Sequence, residues 1–155
     1  MYVFDTSPLS TLFKNYYRTR FPTLWKKFDL LALEGNLVST KEVFHEIQDG
    51  PVESLRVWSE QQQFLFSTPN ALEAEFVASI YRVPHFQQNI EQQKLLKGGR
   101  NADAFVIAKA AIEKGKVVTM ELLKPNGTKI PNICQHFSIV CLTLEEFMEE
   151  QNWEF

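Results

Sequence analysis

The sequence predicts an α/β domain in which a short parallel sheet, buried on both faces, is wrapped by helices. Three observations predict it. Apolar runs too brief for helices (Tyr2–Phe4, Leu37–Ser39, Val117–Thr119, Ser138–Leu142) alternate with segments of helical period. Prolines stand where helices would start (Pro8, Pro22, Pro69, Pro131), and glycines where they would end (Gly35, Gly115). With 155 residues, 45% of them hydrophobic and 23% charged, the chain can bury about two-thirds of its unfolded surface without a metal or disulfide staple. These figures exclude disorder, a collagen-like repeat and a coiled-coil rod. No internal repeat or long linker divides the chain, so residues 1–155 read as one domain.

Tyr2-Val3-Phe4 is a buried strand ending at Asp5, and Pro8 is expected as the first residue of a short helix carrying Leu9, Leu12 and Phe13. Pro22 opens the next helix, with Leu24, Phe28 and Leu31 on one face, and Gly35-Asn36 stops it. Leu37-Val38-Ser39 is the second strand, and Thr40 caps a helix through Ile47. Val52 to Gln63 is helical on a Leu55, Trp58 stripe, while Phe64-Leu65-Phe66 reads as either a strand or a buried tether. Thr68-Pro69 suggests cap and first residue of a helix to Tyr81, and a glutamine-rich helix, Gln87 to Leu96, follows Pro84. Asn101 caps a helix from Ala102 to Lys114 that turns Phe105, Val106, Ala108 and Ile112 inward, and Gly115 closes it. After the strand Val117–Thr119 come a loop tip at Lys124–Gly127, a short helix with Pro131 at its start and the strand Ser138–Leu142. Thr143-Leu144-Glu145-Glu146 is a capping box for the last helix.

The net charge of −3 excludes a generic polyanion binder, but the charge is uneven. Lys14, Arg18, Arg20, Lys26 and Lys27 crowd residues 6–28 without an acid, whereas five glutamates and no base fill residues 145–155. One basic face could meet nucleic acid. Asp5 interrupts the opening apolar run, and no apolar stretch approaches the ~18 residues of a membrane span. With only Cys134 and Cys141, both in apolar surroundings, a cytoplasmic protein with reduced thiols is expected. Cys134, His136 and Cys141 lack a C-x-x-C pair and a fourth ligand, so they are not read as a zinc site.

Four carboxylates stand out by position. Asp5 ends the first strand, Glu46 lies in the helix after the second, Asp103 sits in the first turn after Asn101, and Glu121 follows Val117-Val118-Thr119. Strand ends and helix starts converge on one edge of a parallel sheet. Converging carboxylates repel unless a cation lies between them, and hard oxygen ligands suit Mg²⁺ or Mn²⁺.

The runs around these acids, Tyr2-Val3-Phe4-Asp5-Thr6-Ser7, Glu42–Ile47, Ala102–Ala108 and Val117–Glu121, resemble in order and spacing the four acidic motifs of PIN domains. These are metal-dependent ribonucleases that include VapC-type toxins of toxin–antitoxin pairs. Tyr16-Tyr17, Phe21–Trp25 and Lys129–Cys134 extend the resemblance to a bacterial PIN subfamily across nearly the whole chain. The resemblance implies a PIN-like three-layer α/β/α fold with a short central parallel sheet. It implies an endoribonuclease that cleaves structured RNA, such as tRNA or rRNA, by metal-activated attack of water on a phosphodiester. It further implies Mg²⁺ or Mn²⁺ held by Asp5, Glu46, Asp103 and Glu121, a cognate antitoxin protein and a homodimer.

Ser7 and Thr119 match hydroxyls that would orient carboxylates or waters around that metal. Leu123 stands where a further acid is frequent in the family, which weakens a second metal site more than the first. Lys14, Arg18, Lys97 and Arg100 are the candidate RNA-binding cations, and Tyr16 and Tyr17 could stack on bases. Metal-activated water needs no imidazole, so His45 and His136 stay outside the site. A haloacid dehalogenase-type hydrolase is disfavoured, because Ser7 occupies the place of its second Asp. The rival readings are a catalytically silent PIN-fold module that binds RNA or protein, and the same nuclease chemistry on DNA.

Overall fold

The chain's first apolar run becomes the middle of the sheet. The computed structural model describes residues 1–96 and 101–155, with side chains described through Glu91 and again from Asn101. Among these residues five strands form one all-parallel sheet: β1 (Tyr2–Phe4), β2 (Leu37–Thr40), β3 (Phe66–Ser67), β4 (Lys116–Val118) and β5 (Cys141–Leu142). Their order is β3-β2-β1-β4-β5. Val3 lies opposite Val38 on one side and Val117 on the other. A strand paired on both sides and covered on both faces has to be apolar throughout, and Tyr2, Val3 and Phe4 are all buried.

The helices are α1 (Thr6–Asn15), α2 (Pro22–Leu33), α3 (Lys41–Gln48), α4 (Glu53–Gln61), α5 (Ala71–Tyr81), α6 (Gln87–Leu96), α7 (Ala102–Glu113), α8 (Ile130–His136) and α9 (Leu144–Glu150). The crossovers β1→β2→β3 step one way across the sheet, and β3→β4→β5 return the other way. Right-handed connections of this order put helices on both faces, which is compatible with a three-layer α/β/α arrangement. No helix among the described residues is long and apolar enough to cross a membrane.

Several boundaries differ from the expectation. α1 starts at Thr6 with Asp5 as its extended N-cap (φ −73°, ψ 169°), so Pro8 sits third in the helix rather than first. All N–H groups of a first turn lack intrahelical partners, so proline is tolerated at any of these positions. The cap of α5 is Asn70, whose side chain accepts from Glu73 N at 2.8 Å, and not Thr68. Phe64-Leu65-Phe66 resolves into a 3₁₀ turn, Gln63–Leu65, feeding the two-residue edge strand β3. The final strand shrinks to Cys141–Leu142.

α7 departs most from an amphipathic reading. It is buried almost all round, while the expected inward residues Phe105 and Ile112 are only half-buried. It lies against β1 and β2, with α3, α5 and α8 packed around it. At its end Lys114, not Gly115, takes the left-handed conformation (φ 55°). Gly115 allows a close approach instead: a Cβ there would stand 3.1 Å from Met1 O, where the chain enters β4 beside β1.

The C-terminal helix closes the core. The expected capping box is present, with Thr143 Oγ1 accepting from Glu146 N and Glu146 Oε2 accepting from Thr143 N. Phe147 then meets Tyr2, Phe4 and Trp153 edge to face, with ring centroids 4.9, 5.1 and 5.2 Å away. Phe147 is fully buried. Phe147→Ala is therefore expected to lower stability by about 3–5 kcal/mol, read as a shift of the urea midpoint.

Candidate functional site

β1 and β4 are neighbours whose outgoing connections run in opposite directions, from β1 toward β2 and from β4 toward β5. The carboxyl edge at such a reversal is where parallel sheets form a crevice. Asp5 follows β1 there and Thr119 follows β4. The backbone ties them first, with Asp5 N donating to Val118 O at 3.0 Å. The side chains follow: Thr119 Oγ1 donates to Asp5 Oδ2 at 3.1 Å, and Ser7 Oγ donates to the same oxygen at 3.2 Å. Each hydroxyl also serves the β4 exit, Ser7 accepting from Met120 N and Thr119 from Glu121 N, both at 3.2 Å. Beside them, Ser39 Oγ donates to Phe4 O at 2.6 Å.

Asp103 reaches the same edge by a different route. α7 runs through Lys114–Gly115 straight into the start of β4, so its N-terminus lies some 18 Å away, toward the strand ends. Asp103 sits in its first turn, where the helix dipole favours a carboxylate. Asn89 Nδ2 donates to Asp103 Oδ2 at 3.0 Å, and Asn89 Oδ1 accepts from Tyr81 Oη at 3.0 Å. Tyr81 Oη also lies 2.7 Å from Asn101 Oδ1. Asn101 was expected to cap α7 with its side chain; it makes no such bond and faces Tyr81 instead.

Asp5 is 3% exposed and Asp103 1%, which is deep burial for two carboxylates on one edge. These hydroxyl and amide donors are themselves neutral, so they orient the carboxylates without adding a positive charge. Hard oxygens of this kind suit Mg²⁺ or Mn²⁺, and Mg²⁺ is commonly held by only one or two carboxylates. In that sense the residues present fit a divalent cation. Among the described residues, however, no three His, Cys, Asp or Glu groups come together as a ready-made metal cluster.

A family model described as "Domain of unknown function (DUF4411)" matches residues 2–155. The chain belongs to the DUF4411 family. No curated protein and no solved structure matches it.

The remaining expected residues of this DUF4411 chain are placed as follows. Glu46 is half-buried, about 9 Å along α3 from the Thr40 cap and on the side of Val43. Glu121 Oε2 accepts from Ile130 N at 3.0 Å and thereby caps α8, whose own N-cap, Lys129, makes no side-chain bond. Leu123 is exposed. Lys14 is exposed in the last turn of α1, at the opposite end from Asp5. Arg18 lies beyond that end, paired with Asp29 through two hydrogen bonds (2.8 and 3.2 Å) and stacked 4.2 Å over Trp25. Lys97 and Arg100 lie outside the described residues.

Arg18, Trp25 and Asp29 line a groove of about 1,060 Å³ with Phe13, Tyr16 and Trp58, remote from the acids. Cys134 and Cys141 are free thiols, and the Cys134 thiol is pushed well up by its hydrogen bond with Cys141 and by burial. His136 packs against Phe86 and Phe137.

Asn89 and Tyr81 are the site residues that sequence reasoning missed. Asn89 is one polar residue in a glutamine-rich helix, and only its 1% exposure separates it from its neighbours. Burial pushes the Tyr81 phenol up to about 12, with the nearby Asp103 charge adding to the effect. The folded state therefore holds this proton more tightly than the unfolded chain. Its stabilising contribution is complete below pH ~10 and declines as pH rises toward ~12. Urea unfolding between pH 8 and 11 should show that alkaline decline, and Tyr81→Phe should make it shallower; the slope that remains comes from the other groups held above their ordinary values, the Cys134 thiol, the Tyr2 phenol and the Lys116 ammonium.

Proposed function

We propose that this DUF4411 protein is a PIN-like, Mg²⁺- or Mn²⁺-dependent endoribonuclease. The observation that carries the reading is the pair of buried carboxylates at the sheet's carboxyl edge. Asp5 is held by Ser7 in the first turn of α1 and by Thr119 just beyond β4, and Asp103 stands at the head of α7. Asp5 and Asp103 would hold the cation, with Glu46 and Glu121 completing its surroundings through further ligands or waters. A divalent cation there would supply Lewis-acid activation of water and of a phosphoryl oxygen. The chain's own part is to fix the carboxylates: two hydroxyls hold one oxygen of Asp5, and an amide holds one oxygen of Asp103.

The resemblance supports the wider role. The protein would act as the toxin of a toxin–antitoxin pair in the cytoplasm, cleaving a structured RNA such as tRNA or rRNA. A cognate antitoxin protein would occlude the edge, and two copies would associate as a homodimer. Of the cations expected to meet RNA, Arg18 is already engaged by Asp29 and Lys14 lies at the far end of α1, which supports Lys97 and Arg100 as the better candidates.

A second reading has its own observation. Glu121 caps α8 with one carboxylate oxygen, and an exposed leucine occupies position 123. Both favour a catalytically silent module that binds RNA or protein through the same fold.

One experiment separates the readings. Purified protein, free of any bound inhibitor, is incubated with a small-RNA pool and with single-stranded DNA in Mn²⁺, Mg²⁺ or chelator. The nuclease reading expects discrete RNA fragments that require metal and fall by at least about 100-fold in Asp5→Asn and Asp103→Asn, with Thr119→Val losing about 10- to 100-fold. Folded protein that binds Mn²⁺ yet leaves every substrate intact would favour the silent module.

A further inference from the structure

We propose that Asn89 is a positioning residue for Asp103, held in its donating orientation by Tyr81, and that the two set the carboxylate geometry offered to a divalent cation. The proposal rests on the metal-site reading above and extends it to residues of α5 and α6. Three helices meet in it: Tyr81 is the last residue of α5, Asn89 lies in the first turn of α6, and Asp103 in the first turn of α7.

A carboxamide is nearly symmetric in shape but not in chemistry. Turned over, Asn89 would present Oδ1 to Asp103, acceptor against acceptor. The Asp103 carboxylate, which only accepts, selects Nδ2, 3.0 Å from its Oδ2, and on the other side Tyr81 Oη donates to Asn89 Oδ1 at 3.0 Å and anchors the amide in that orientation. The phenol stays protonated across the physiological range, since burial raises its pKa to about 12. Its single proton is shared with Asn101 Oδ1 at 2.7 Å, so one hydroxyl registers both the Asn89 amide and the entry to α7.

The arrangement is costly for a purely architectural role. Asn89 is 1% exposed, and a buried amide is unfavourable unless its bonds are made. An apolar side chain would fill the same space without that penalty. What the amide adds is a donor that fixes one carboxylate oxygen without itself bringing a positive charge. A lysine or arginine at position 89 would fix the oxygen and discharge the group. A metal ligand needs the first effect without the second.

The test uses the full-length protein labelled with ¹⁵N, with Mn²⁺ as the probe. Side-chain NMR reads solvent exchange of the Asn89 Nδ2 protons in the metal-free protein. Electron paramagnetic resonance reads Mn²⁺ affinity, and circular dichroism confirms the fold. The expectation is slow exchange in the wild type, with faster exchange and about 2- to 10-fold weaker Mn²⁺ binding in Tyr81→Phe. Asn89→Leu should weaken Mn²⁺ about 10- to 100-fold with secondary structure unchanged. Should Asn89→Leu fail to fold, Tyr81→Phe alone decides. Wild-type Mn²⁺ affinity in either folded variant, or an Asn89 amide exchanging as fast as exposed ones, overturns the proposal. A wild-type protein with a protected Asn89 amide but no Mn²⁺ binding overturns the metal-site reading and the positioning role with it; the intact amide separates that failure from a failure of the geometry.

Discussion

Everything in this molecule is arranged around a strand of three residues. β1 is hydrogen-bonded on both sides and covered on both faces, so Tyr2, Val3 and Phe4 have no exposed face to spare. So short a strand has little pairing energy of its own and depends on its flanks. Val38 and Val117 supply them across the sheet, and Phe147 closes one end with edge-to-face contacts to Tyr2 and Phe4. The next residue is forced to be different. At Asp5 the chain leaves the sheet and turns into α1, and the backbone there needs partners that a regular strand would not.

That exit explains why hydroxyls gather at the edge. Ser39 serves Phe4 O, Thr119 and Ser7 serve Asp5, and the same two hydroxyls accept from the backbone beyond β4. A structural need and a chemical opportunity coincide. Groups that satisfy the ends of β1 and β4 also hold a buried carboxylate in one orientation. Asp103 is managed in the same way, by an amide in place of a hydroxyl. The hydroxyls and the amide orient these carboxylates without themselves bringing a positive charge.

Charge pairing ties other parts of the fold together. Lys109 on α7 donates to Ser67 at 2.7 Å and lies 3.9 Å from the buried Glu73, joining α7, β3 and α5. Arg18 clamps Asp29 and covers Trp25 at the far end of α1. Lys116 pairs with Glu150, raising the lysine's pKa and lowering the carboxyl's, and Tyr2 adds a bond to the same carboxylate. Two residues of the basic and acidic stretches, Arg18 and Glu150, thus serve the architecture, and residue counts cannot separate such charges from those free to meet a ligand.

The order of strands and helices, the Thr40 cap and the capping box at Thr143 were legible in the sequence. They depend on local chemistry: an apolar run flanked by turn residues, or a hydroxyl three residues before a backbone N–H. The sequence also singled out Asp5 and Asp103, because a carboxylate at a strand end or in a first helical turn is marked by its neighbours. Tertiary structure alone decided the rest. Lys114 rather than Gly115 turns left-handed, and Gly115 instead packs closely against Met1 O across the sheet. Glu121 turns to the N-terminus of α8, nine residues on. The bonds of Asn89 to Tyr81 and Asp103 join three helices through residues eight and fourteen positions apart. No periodicity or motif encodes such bonds, since their geometry exists only after the helices have packed.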